Sequence, residues 1–114
     1  MDELVAKIAA DTGIDTGTAR KAVIIMIQFL LNAGPKEKVE RAVADIPGAR
    51  EAVGNSGSGP RDIMGAFNAL TGAGLGMGEI QGVARAFGKV ARQYAGAQTI
   101  DEIVSGIPGL SQFI

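Results

Sequence analysis

Val43-Ala44-Asp45-Ile46-Pro47-Gly48 returns as Val104-Ser105-Gly106-Ile107-Pro108-Gly109, sixty-one residues later. Held at that one offset, residues 1–53 lie over 62–114 without a gap and leave 54–61 as a linker. Gly13/Gly74 and Gly17/Gly78 are also identical, and Ile14/Leu75, Ala22/Val83, Met26/Phe87, Val39/Ile100 and Val53/Ile114 keep their apolar character. A period near sixty is longer than the common solenoid repeats and suits an internal duplication about a pseudo-two-fold axis. Ile46, Pro47, Gly48, Ile107, Pro108 and Gly109 then read as two equivalent corners, each proline forcing the isoleucine before it out of helical geometry.

Working outward from the first corner, apolar residues recur at helical spacing and not in alternation, so helices are expected throughout. Asp2 can cap a first helix with Leu4, Val5 and Ile8 inward, ended by Gly13 in a left-handed cap. Asp15 caps a second helix that Gly34-Pro35 stops after Ala33, and a third carries Val39, Ala42, Val43 and Ile46 inward. One more turn runs from Gly48 to Val53, and Gly54 to Pro60 reads as a flexible connector. In the second half a helix from about Arg61 is expected to point Ile63, Met64, Phe67 and Leu70 one way. After a glycine-rich turn, Glu79 to Tyr94 has the cleanest stripe of the chain, and a helix from Ile100 to Ser105 leads into the second corner and a last turn.

The expectation is an all-α single domain over 1–114, a compact bundle of about six to eight helices in two pseudo-repeated halves, 1–53 and 62–114. The offset also sets Val23, Ile27 and Leu30 against Ala84, Gly88 and Ala91, large residues on one central helix and small ones on the other. That is the pattern of a ridge and a groove, and it predicts that these two helices cross closely.

The run Glu3 to Ile14, followed by Ala19, Ala22 and Val23, resembles the opening helical hairpin of the bacterial histone-like DNA-bending proteins, over residues 3–27. In that family the hairpin builds the dimer core and basic β-arms grip DNA. This chain has no β-arm pattern and no basic arm after Pro35, so the resemblance implies a helical hairpin and leaves DNA binding behind. Over its whole length, through this hairpin, Gly74 to Ile80 and the ending Ile107 to Phe113, the chain also resembles a family of small uncharacterised bacterial proteins. That likeness implies a helical fold and brings no activity.

Composition narrows the chemistry. Hydrophobic residues make up 46% of the chain but aromatic ones only 4%, so the core must be mostly aliphatic. A chain of 114 residues can bury roughly 65% of its unfolded surface. The net charge of −1 gives no general attraction to nucleic acid or acidic membranes. No cysteine and no histidine is present, which removes disulfides, Ser-His and Cys-His nucleophiles and the usual transition-metal ligands. Asp11/Asp15, Glu37/Glu40/Glu51 and Asp101/Glu102 are better read as caps, first-turn residues and solvated faces than as catalytic pairs. No Gly-x-Gly-x-x-Gly fits in Gly72 to Gly82, and Gly88-Lys89 lacks the glycine a Walker loop needs. The acidic start and the short apolar run Ala22 to Leu31, about half the ~20 residues of a membrane span, lead to the expectation of a cytoplasmic protein with no membrane span.

Two surfaces remain. Arg85, Lys89 and Arg92 share the polar side of the sixth helix and are the candidate face for an anionic partner, although nucleic acid is the less expected one. The other is an apolar groove, near an exposed Phe113-Ile114 end, for a partner helix or a lipid tail. No enzyme, metal or cofactor is expected; the leading expectation is a protein-interaction module, possibly self-associating, with an apolar-ligand carrier as its alternative.

Overall fold

Residues 2–54 and 59–112 are described by a computed structural model of the chain; the expectations for a flexible connector through 55–58 and for a Phe113-Ile114 end lie outside the described residues. Seven α-helices and one short 3-10 turn, with no strand, make up the described residues: α1 (Asp2–Thr12), α2 (Thr16–Ala33), α3 (Lys36–Asp45), α4 (Ala49–Val53), α5 (Ile63–Gly72), α6 (Met77–Ala95), α7 (Ala97–Ser105) and the turn Leu110–Gln112.

The boundaries follow local chemistry. Gly13 ends α1 at φ +77°, a region that costs residues with a Cβ, and its N–H reaches the Ala9 carbonyl at 2.8 Å. Asp15 caps α2 by accepting the Thr18 N–H at 3.3 Å, and Asp62 caps α5 by accepting that of Gly65 at 2.7 Å. Two helices begin earlier than the sequence suggests. Glu79 is not the start of α6; its Oε1 takes the N–H of Gly76 at 2.9 Å, which sets Gly76 as the cap. The Ile100 N–H already bonds the Gly96 carbonyl at 3.2 Å, so α7 starts at Ala97.

Both Ile-Pro-Gly corners have one geometry. Ile46 and Ile107 are each 4% exposed, and their N–H groups bond the carbonyls of Val43 and Val104 at 3.1 and 3.2 Å. Gly48 and Gly109 lie at φ +79° and +83°. The N–H groups of Ala49 and Leu110 then close back on Ile46 and Ile107 at 3.1 and 3.2 Å. The starts of the elements keep the same offset: 2 and 63, 16 and 77, 36 and 97, 49 and 110.

Packing runs across the halves. The longest contact in the molecule is α1 along α6; α5 lies on α2, and α3 meets both α6 and α7. Leu4 and Ile8 of α1 are fully buried and Val5 is 2% exposed, which at ~1.5–3 kcal/mol per buried aliphatic side chain makes this seam a principal source of stability. Val23, Ile27, Ala84, Gly88 and Ala91 are buried and Leu30 is partly so; Ile27, Leu30 and Ala91 line one narrow gap together with α3 and α7. α2 and α6 therefore meet, but briefly, since α1, α3, α5 and α7 also pack on α6. Among the described residues no polar or charged side chain is buried. The radius of gyration, 12.4 Å, is close to the ~13 Å of a single folded body of this length.

Candidate functional site

α5, Ile63-Met64-Gly65-Ala66-Phe67-Asn68-Ala69-Leu70-Thr71-Gly72, is the one α-helix of the described residues with no charged side chain. An apolar ten-residue helix would ordinarily sink into the core. Instead Leu70 is its sole buried residue, whereas the five-residue α4 buries both Ala49 and Val53. Ile63, Ala66 and Phe67 are half-buried, and Met64 is 70% exposed. The expected inward stripe thus holds for Ile63, Phe67 and Leu70 and fails for Met64. Positions 63, 67 and 70 recur at i, i+4 and i+7, but 64 is turned about 60° beyond 67 at 100° per residue.

Beneath α5 is an apolar cleft of about 50 Å³, lined by Ile63, Phe67 and Leu70 together with Met26 and Phe29 of α2, Ala84 of α6 and Leu110. The two alanines of the lining, Ala66 and Ala84, leave the space that longer side chains would fill. No polar atom lines it, so water entering would lose hydrogen bonds and gain none.

The basic face is less basic than its spacing suggests. Arg85 and Lys89 are exposed. Arg92 is held by Asp101, which accepts from Nη2 at 2.9 Å and Nε at 3.2 Å. Lys89 borders a shallow hollow with Lys7 and Asp11, so the three cations do not stand apart from acids. Lys7 is itself paired with Glu3 at 3.3 Å and lies 5.6 Å from the Tyr94 ring centroid.

Of the carboxylates singled out by sequence, Asp15, Asp101 and Glu102 are engaged structurally. The Thr18 hydrogen bonds beside Asp15 hold its carboxyl below the usual range, and Lys38, hydrogen-bonded to Glu102, does the same there. Asp2 is lowered by its bond to Arg20. No group of three acids that could hold a metal ion occurs among the described residues. Nor, among them, is any helix long and apolar enough to cross a membrane. Comparison of the chain with family models, with curated proteins and with solved structures gives no match.

Sequence pattern leads to an apolar groove near Phe113-Ile114, outside the described residues, and gives no signal for a cleft between α2 and α5. The exposure of Met64 had a signal: Asn68 and Thr71 lie at i+4 and i+7 from it and mark that face as the solvent side.

Proposed function

We propose that this chain is a non-enzymatic, cytoplasmic interaction module that docks a protein partner on α5 and its cleft. The carrying observation is a charge-free helix that exposes Met64 and only half buries Ile63 and Phe67 over a dry notch. Solvent-facing apolar surface of this kind costs free energy until something covers it. The volume favours a side chain over a lipid tail, since ~300–1,000 Å³ is usual for a small-molecule site and about 50 Å³ is present.

The scaffold reading is a duplicated unit of two halves about a pseudo-two-fold axis. The matched element starts, the paired corners and the reciprocal packing of α1 on α6 and α5 on α2 support it. The likeness of residues 3–27 to a hairpin that builds a dimer core is in keeping with an association role.

The test is photo-cross-linking in the native cell with a photoreactive residue at position 64, and a second variant at Lys89. Capture of one defined protein at 64 and not at 89 is the expected result. Equal capture at both positions, or none at 64, removes the docking reading.

A further inference from the structure

We propose that the seam between the two halves is an exchange surface: a second copy of this chain supplies the second half in trans, giving a closed dimer in which the first half of each copy packs on the second half of the other. This goes beyond docking on α5, whose outer face is the same in either arrangement.

The structure shows what covers each half. α1 lies along α6, α2 meets α5 and α6, and α3 packs on α6 and α7, so each of the first three helices finds a partner in the second half. Leu4, Ile8 and Val23 on one side and Val83 and Ile103 on the other are at 1% exposure or less. Two surface contacts also cross: Lys38 pairs with Glu102, and Lys7 stands 5.6 Å from the Tyr94 ring centroid. None of these contacts requires that both partners belong to one chain. Copies that exchange halves recover all of them, so nothing in the seam itself separates the monomer from the closed dimer.

What separates them is the single join, 54–61, and the cost of bringing two chains together. Gly54, where the join leaves α4, sits at φ +61° and ψ −141° with no atom within 4 Å of an added Cβ. That backbone is unfavourable for any residue with a side chain, and the way the chain turns away from α4 requires it, not packing. The far end of the join is seated on α2. Asn32 Nδ2 donates to the Pro60 carbonyl at 3.2 Å, and Gln28 Cβ lies 2.8 Å from the place of a Gly59 Cβ. In an exchanged dimer both contacts re-form on the other copy's α2, whereas Gly54 is released to take another conformation. Gly54 is thus the hinge, and it admits the closed monomer without strain only while it is glycine.

The experiment is light scattering with circular dichroism on the full chain, refolded from urea at about 10 μM and at about 1 mM. Dilute refolding should give 11.6 kDa, and concentrated refolding a fraction at twice that mass. Gly54→Val strains the closed monomer alone and should raise the association constant roughly tenfold or more. Gly96→Val, at φ +90° with equally empty surroundings but inside one half, should leave it unchanged. Leu4→Asp and Val83→Asp each bury a charge at a site of 0% exposure, one in each half, and each alone should unfold the chain. Refolded together they should regain helical signal at twice the monomer mass, because the intact first half of one copy meets the intact second half of the other. A co-refolded pair that stays unfolded overturns exchange, as does a Gly54→Val chain that associates no more than Gly96→Val. Neither result bears on the cross-link at position 64, which decides docking on α5 by itself.

Discussion

Gly13 and Gly34 both stand just past helices, yet alanine should harm them for different reasons. Gly13 is at φ +77° with no atom within 4 Å of an added Cβ, so its cost is conformational, about 1 kcal/mol. Gly34 has an ordinary extended backbone, but a Cβ there would come within 2.9 Å of both the Leu30 carbonyl oxygen and Val39 Cγ2. Gly34→Ala should therefore lower stability by about 1–3 kcal/mol through overpacking. Gly78→Ala, inside α6 with nothing within 4 Å, should raise it by roughly 0.5–1 kcal/mol. Urea unfolding of the three variants checks the order. Gly13 could be read from sequence because a helix cap is a local event. The crowding at Gly34 could not, because Ile107 and Val39 reach it from elsewhere in the chain.

At the scale of the element, caps were legible and burial was not always so. Asp15 caps α2 as its position suggests, and Asp15→Ala should lower the Tm. Asp2, Asp15 and Glu102 all have lowered carboxyl pKa values, so the folded state holds fewer protons than the unfolded chain in acid. Their contribution is present above the unfolded carboxylate range, near pH 4, and is lost as pH falls through the lower folded values. Stability should be level from neutrality to about pH 5 and decline below about pH 4. Asp15→Asn, which can still cap, should make that decline shallower, as thermal melts across pH would record. For α5 the periodicity gave the right stripe for Ile63, Phe67 and Leu70 and the wrong one for Met64. Its polar arc is short, Asn68 and Thr71 on the face of Met64, and the opposite side is held by neighbours: Asp62 at its cap, Phe29 on α2 and Leu110 beyond it.

Over the whole molecule, the all-helical class and the two corners were legible because both depend on short spans. The lacing of α1 onto α6 was not, since local pattern says which face is apolar and not which distant helix will cover it. That lacing makes the halves interdependent. Leu4→Ala should cost about 2–5 kcal/mol at this fully buried site. It should also speed amide exchange in α6 as well as in α1, a coupling that independent halves would not show.

Methionine oxidation, read peptide by peptide in the mass spectrometer, tests the docking of α5 most directly. Met26 is 7% exposed, Met77 65% and Met64 70%, so in dilute solution Met64 and Met77 should react together and Met26 slowly. In the native cell, where a partner is present, Met64 alone should become protected while Met77 keeps its rate. If Met64 stays as reactive as Met77 in the cell as in dilute solution, α5 docks no partner and the account is contradicted.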